Sequence, residues 1–81
     1  MRYGLTVQTY EKILELVKKY DEFDFILFGS RARGDYKLRS DIDIAISGNI
    51  SEKDKFHILD DFDLLEIPYQ IDLVFIQDLS K

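Results

Sequence analysis

Cysteine is absent from this sequence of 81 residues, and proline and histidine each occur once. Without cysteine there is no disulfide framework and no thiolate zinc site, so any metal would be held by oxygen ligands or by His57. Oxygen ligands favour magnesium, manganese or calcium. No apolar run approaches the roughly 20 residues that span a bilayer, and the N-terminus lacks the apolar core of a signal peptide. We therefore expect a soluble, cytoplasmic protein with no membrane contact.

Basic residues are also scarce relative to acidic ones, and the net charge of −5 makes a general nucleic-acid clamp unfavourable. Four of the eleven basic residues nevertheless fall in one nine-residue window, at Arg31, Arg33, Lys37 and Arg39. Apolar residues form 46% of the chain and aromatic residues 14%, which is enough for a hydrophobic core. The length predicts a single domain over residues 1–81.

Helical periodicity occurs in two segments of the chain. Apolar residues recur at helical spacing over residues 6–19 and again over residues 52–65, where Ser51-x-x-Asp54 resembles a capping box. Most of the aromatic residues fall within the periodic apolar stripes and are expected in the core; they are Tyr10, Phe25, Phe28, Phe56, Phe62 and Phe75. The acidic cluster at Asp60, Asp61 and Asp63 is expected on a solvated helix face or against a basic partner.

Three other segments have the character of β-strands. "FDFILFG" is a nearly continuous apolar run that predicts a central strand buried on both faces, with a short helical turn possible after Gly29. "SDIDIAIS" and "YQIDLVFI" alternate between apolar and polar positions, so each predicts a strand with one apolar face. The order helix, strand, strand, helix, strand predicts a two-layer sandwich of the α/β or α+β class.

The alternating strands carry the candidate chemistry. Asp41 and Asp43 lie two positions apart, so on a strand their carboxylates project from one face about 7 Å apart and can share a cation. If Asp72 on a neighbouring strand points to the same face, three carboxylates meet, which is a ligand set for magnesium and for two-metal phosphoryl transfer. The alternative interpretation of the first two aspartates is a solvated strand edge.

The segment before these aspartates suits a phosphate. Gly29 lets the backbone approach a ligand closely, and Ser30 adds a hydroxyl at the start of the possible helical turn. Arg31 and Arg33 could neutralise a polyphosphate through their forked donors, although exposed arginines are common on protein surfaces. The sequence therefore predicts phosphate binding next to metal binding.

Gly29-Ser30, ten intervening residues and Asp41-x-Asp43 together resemble the signature of the DNA polymerase beta-type nucleotidyltransferase superfamily. Within it, the chain is similar to the minimal nucleotidyltransferases (MNT), over nearly its whole length. The resemblance implies a two-layer nucleotidyltransferase fold with a small mixed β-sheet and helices on one face. It also implies that Asp41, Asp43 and Asp72 are catalytic and hold two Mg²⁺ or Mn²⁺ ions, that Asp72 helps to activate the attacking hydroxyl, and that Gly29 and Ser30 grip nucleotide phosphate.

The resemblance further implies an enzyme that transfers a nucleoside monophosphate, with ATP the favoured donor, to an acceptor hydroxyl and releases pyrophosphate. Small members of the family are often paired with a helical HEPN-type protein, as an antitoxin or as a catalytic subunit. The acceptor would then be that partner protein or an RNA end, held by another chain, and a homodimer is a further possibility. The alternative is a non-catalytic module that binds nucleotide or neutralises its partner stoichiometrically.

Overall fold

The computed structural model describes residues 3–37 and 40–80. The elements in chain order are α1 (Val7–Lys19), β1 (Asp24–Phe28), α2 (Ser30–Arg33), β2 (Ile42–Ser47), α3 (Glu52–Asp63), β3 (Ile71–Phe75) and a 3₁₀ helix (Ile76–Ser80). Over these residues, none of the helices combines the length and the apolar character that a membrane crossing requires.

Both long helices begin where the sequence predicts, because a hydroxyl side chain caps each one. The Thr6 hydroxyl accepts a hydrogen bond from the Thr9 backbone N–H, and the Ser51 hydroxyl accepts one from the Asp54 N–H. Helix α3 ends at Asp63, two residues before the predicted end. Its last turn contains acidic residues and no basic ones, which is unfavourable at the negative end of the helix dipole.

The three strands form one mixed sheet in the order β1-β2-β3, with β1 antiparallel and β3 parallel to β2. The prediction of β1 as the central strand is therefore wrong, since β2 occupies that position. The apolar run of β1 misled the interpretation because Ile26 and Phe28 are exposed, at 46% and 38% of their surface. Ile42 and Ile46 of β2, by contrast, are fully buried.

Helices α1 and α3 cover the same face of the sheet, as the two-layer prediction requires. Ile13 of α1 and Ile58 and Phe62 of α3 belong to one core cluster with the buried isoleucines of β2. The rings of Phe25 and Phe62 lie 6.2 Å apart between sheet and helix. Phe56 is an exception to the predicted core, because it is 68% exposed and lies two residues before Ile58, on the other side of α3.

An ionic and hydrogen-bonded contact joins the C-terminal end of α1 to α3. Lys19 Nζ lies 2.8 Å from Asp61 Oδ2, and the Tyr20 hydroxyl donates to the same oxygen. Partial burial and then the hydrogen bond to Asp61 raise the pKa of Tyr20 to about 12. The hydrogen bonds from Lys19 and Tyr20 hold the pKa of Asp61 below its usual value. Asp61 is therefore a structural carboxylate that fixes the two helices together.

Candidate functional site

The face of the sheet opposite the helices carries the acidic residues. Asp43, in the central strand, is paired with Asp72 of β3 on one side and with Phe28 of β1 on the other. Paired residues of neighbouring strands point to the same face and lie about 4.8 Å apart, so the two carboxylates are neighbours. Asp41 is two residues before Asp43, just outside β2. Asp43 is half-buried, whereas Asp41 and Asp72 are exposed.

The turn between β1 and α2 lies directly against this acidic face. Gly29 has φ +77, a conformation that side chains disfavour, and a Cβ atom added there would overlap Asp43 Oδ2. The predicted helical turn after Gly29 is present as α2, which Ser30 begins. Glycine is thus required at position 29 for two reasons, and the predicted phosphate turn and the predicted metal ligand are in contact.

The donor chemistry of the three aspartates suits a hard cation. Their side chains take part in no hydrogen bond or ion pair with any other part of the chain that the structure describes. Over residues 3–37 and 40–80, however, no three acidic or histidine side chains gather closely enough to hold a metal ion. The shared face and the Gly29 contact fit a cation site, and the individual ligand roles stay predictions.

Arg31 does not lie on the acidic face. Its side chain is only 1% exposed, and its guanidinium donates hydrogen bonds to the backbone carbonyls of Ser40 and Tyr3. A direct contact with phosphate would require these bonds to break, and the phosphate contact expected of Arg31 stays a prediction. Arg33, two residues further along α2, is exposed, and within the described part of the chain its side chain makes one ion pair, with Asp35 at 3.3 Å.

Of the other two basic residues of the window, the structure describes Lys37, and Arg39 lies outside the described residues. Lys37 is exposed, its backbone N–H donates to the Ser40 hydroxyl, and its carbonyl accepts from the Ser40 N–H. Among the described members of the window, Arg33 and Lys37 are therefore the two whose exposure suits a phosphate, with Arg33 the nearer of the two to Gly29 along the chain.

Tyr36 and Tyr69 contribute to the site region in a way that the sequence did not indicate. Their rings lie on the Arg31 guanidinium, with centroids 5.3 Å and 4.9 Å from its central carbon. The spacing of Arg31 and Arg33 indicates only that their side chains differ in direction, because residues two apart on a helix face different sides. It gives no indication of the two tyrosines.

Two cavities lie on the helical side of the sheet and not beside the aspartates. One, of about 400 Å³, is lined mainly by apolar residues of α3, of β3 and of the segment between them, and the other, of about 250 Å³, lies under α1. Neither is lined by Asp41, Asp43 or Asp72. The candidate site is a sheet face bordered by the Gly29 turn, on which Asp41 and Asp72 are exposed.

The model of the family described as "Polymerase beta, Nucleotidyltransferase" matches residues 11–81. The chain belongs to this family. The matched region spans the Gly29 turn and all three aspartates, so the family assignment and the geometry concern the same part of this polymerase beta-type nucleotidyltransferase domain. Domains of this family typically use divalent metal ions. A search of the curated proteins found no match.

Proposed function

We propose that this chain is a metal-dependent nucleotidyltransferase that transfers a nucleoside monophosphate, with ATP the favoured donor, to an acceptor hydroxyl. The observation that carries the proposal is the pairing of Asp43 with Asp72 directly beside the Gly29 turn, in a chain of the polymerase beta family. Like charges directly opposite on neighbouring strands are destabilising, so stability alone does not explain the pairing of Asp43 with Asp72, which favours a ligand role.

The proposed reaction is a displacement at the α-phosphorus of the nucleoside triphosphate. The acceptor oxygen forms a bond to this phosphorus, the bond to the oxygen that bridges the α- and β-phosphates breaks, and pyrophosphate leaves with the electron pair. The hydroxyl proton passes to the Asp72 carboxylate, which is exposed and therefore reachable by an acceptor that approaches the open face.

Asp41, Asp43 and Asp72 are the residues that would hold two Mg²⁺ ions, or Mn²⁺, in this site. Such ions supply Lewis-acid stabilisation of the charge that develops on the phosphate oxygens. Oxygen-only ligands match the preference of both ions. The half-buried position of Asp43 between Phe28 and Asp72 gives that carboxylate the most restricted environment of the three.

Gly29 and Ser30 would grip the phosphate chain, and Arg33 would neutralise part of its charge. The Gly29 backbone already lies against the Asp43 carboxylate, so a phosphate held there would be within reach of the same cation. The Arg33 guanidinium is exposed and has one weak partner, Asp35, from which a phosphate could displace it.

The acceptor is proposed to be a helical HEPN-type partner protein or an RNA end, with this chain as the antitoxin or catalytic subunit of a HEPN/MNT pair in the cytoplasm. Helix α3 presents an acidic and partly apolar surface, because Asp60 and Asp63 are exposed beside Phe56 and Leu59, at 68% and 47%. A partner with basic and apolar groups would suit this surface.

Label transfer tests the proposal. The protein is incubated with Mg²⁺ and with each nucleoside triphosphate labelled at the α-phosphate, with and without the protein encoded beside it or total RNA. We expect label on a macromolecule, with loss of transfer in Asp43→Asn. Asp24→Asn is the matched control, since Asp24 is an exposed aspartate on the same face at the far end of β1.

Each outcome has a defined meaning. Label that appears with the wild-type and Asp24→Asn chains but not with Asp43→Asn supports nucleotidyl transfer and identifies donor and acceptor together. Mg²⁺-dependent nucleotide binding without any transferred label would contradict the enzymatic proposal and support the non-catalytic alternative. If Asp43→Asn neutralises a toxic partner as well as the wild type at equal expression, the biological role is stoichiometric binding.

A further inference from the structure

We propose that Arg31 is a positioning residue that holds the segment leading to Asp41 against the Gly29–Ser30 turn, and that it is not a phosphate ligand. The inference rests on the proposed function, because the site that Arg31 positions is the nucleotide and metal site proposed there. It assigns to the arginine next to the phosphate turn a role that differs from that of Arg33, although both lie in the same short helix.

The hydrogen bonds of Arg31 connect three separate parts of the chain. Nε and Nη2 both donate to the Ser40 carbonyl, at 3.2 Å and 2.7 Å, and Nη1 donates to the Tyr3 carbonyl at 2.8 Å. A forked donor pair on one acceptor defines direction as well as distance. Helix α2, the segment before Asp41 and the N-terminal segment are thereby held together through one side chain.

Aromatic rings enclose the same guanidinium. Tyr36 and Tyr69 lie on it at 5.3 Å and 4.9 Å, and the side chain is only 1% exposed. Gly4 in turn leaves room for the Tyr36 ring, which a Cβ at position 4 would overlap. A buried arginine is tolerated only when its donors are satisfied, so this arrangement is costly to form without a purpose.

Arg31 and its acceptor Ser40 are each the chain neighbour of a predicted site residue. Arg31 directly follows Ser30, and Ser40 directly precedes Asp41. The Arg31–Ser40 hydrogen bonds therefore close the loop between the predicted phosphate turn and the first predicted metal ligand. Because fixing two chain positions to one another lowers the number of conformations open to their neighbours, these bonds reduce the freedom of Asp41 relative to the turn.

Arg31→Lys separates positioning from direct phosphate contact. Lysine keeps the positive charge but has no planar fork for the Ser40 carbonyl and stacks less well between two rings. A phosphate ligand would contribute similarly to ATP binding with and without metal. A positioning residue would instead affect the gain in affinity that Mg²⁺ provides, because that gain requires the phosphates and the Asp41 carboxylate to reach the same ion.

Equilibrium dialysis measures the dissociation constant of ATP in EDTA and in saturating Mg²⁺. The ratio of the EDTA value to the Mg²⁺ value is the gain in affinity that Mg²⁺ provides, and this ratio is compared between the wild type and each variant. In Arg31→Lys we expect the ratio to fall about tenfold, the effect of one charge-assisted hydrogen bond, with metal-free ATP affinity changed less than about twofold. In Arg33→Gln both affinities should fall together and leave the ratio unchanged, as for a phosphate ligand.

The failures of the two proposals are distinguishable. Absence of Mg²⁺-dependent ATP binding by the wild type would overturn the proposed function. If circular dichroism shows that Arg31→Lys is folded and its ratio equals that of the wild type, only the proposed role of Arg31 is overturned. If Arg31→Lys does not fold, Tyr36→Leu decides, since loss of one ring opens the guanidinium to water and so weakens its hydrogen bonds to the Ser40 carbonyl. A reduced ratio there supports positioning, and an unchanged ratio overturns it.

Discussion

Gly29 and Asp43 lie so close together that a single methyl group at position 29 would overlap the Asp43 carboxylate. Gly29→Ala is therefore expected to reduce the free energy of unfolding by about 1–2 kcal/mol for the left-handed backbone alone, and further for the overlap. It should also abolish Mg²⁺-dependent ATP binding, because relief of the overlap moves the carboxylate or the turn. Urea unfolding and equilibrium dialysis measure the two effects.

Gly34→Ala is the matched control for this substitution. Gly34 also has a positive φ, of +90, but among the described residues no atom beyond its chain neighbours and the backbone of its own helix lies within 4 Å of a Cβ built there. The variant should lose about 1 kcal/mol through backbone strain and keep ATP binding. Equal loss of ATP binding in both variants would show that backbone strain in α2, and not the contact with Asp43, is responsible.

The pairing of Asp43 with Asp72 predicts that removing one of the two charges raises metal-free stability and weakens metal binding. Like charges directly opposite on neighbouring strands are destabilising, so Asp72→Asn should raise the metal-free stability by about 0.2–1 kcal/mol. The same substitution should remove the rise in melting temperature that Mg²⁺ with ATP gives the wild type. In Asp24→Asn, where the paired residue is Ser47, both quantities should stay at wild-type values. A lower metal-free stability of Asp72→Asn would contradict the repulsion.

Periodicity was sufficient to predict the two-layer fold and the faces of β2. Strict alternation in "SDIDIAIS" correctly put Ile42, Ile44 and Ile46 on the buried side, and the capping-box-like Ser51-x-x-Asp54 correctly marked the start of α3. Alternation also predicts that Asp43 and Asp72 share a face only if their strands are paired in register. That register depends on tertiary contacts, which local spacing does not contain.

The wrong position of β1 and the different surroundings of Arg31 and Arg33 have one cause, which is that exposure depends on neighbours in space. The apolar run of β1 indicated burial on both faces, yet an edge strand in a three-stranded sheet leaves Ile26 and Phe28 accessible. Arg31 and Arg33 are chemically identical and two residues apart, and only the tertiary structure shows that one is enclosed by tyrosines while the other meets solvent.

The core on the helical side predicts that two adjacent residues of α3 contribute very differently to the free energy of unfolding. Ile58 is completely buried among the sheet residues, whereas Leu59 is 47% exposed. Ile58→Ala should cost about 2–5 kcal/mol, a large share of the stability of a domain this small, and Leu59→Ala about 0.5 kcal/mol or less. Urea unfolding of both variants checks this, and similar losses would mean that α3 is rotated about its axis relative to the structure.

The contact of Tyr20 with Asp61 predicts a dependence of stability on alkaline pH. The folded pKa of Tyr20 is about 12 against an ordinary 10.0, so the protonated phenol stabilises the fold fully below pH 10 and progressively less up to about pH 12. The pKa of Asp61 is lowered in the folded state, so its contribution is present above its unfolded pKa and is lost as the pH falls through the folded value.

Tyr20→Phe isolates the alkaline part of this dependence. At neutral pH the variant should lose about 1 kcal/mol, the net contribution of a partly exposed hydrogen bond to a carboxylate. The difference in unfolding free energy between wild type and variant should then shrink from pH 10 to about 12, because the wild type gives up its hydrogen bond as the phenol ionises. Changes at lysines outside this contact affect both proteins alike and cancel in that difference. Tyr3→Phe, at a tyrosine that is 45% exposed, provides the reference for loss of a hydroxyl at the surface. A wild-type-minus-variant difference that stays constant over this range would mean that Asp61 is held by Lys19 alone.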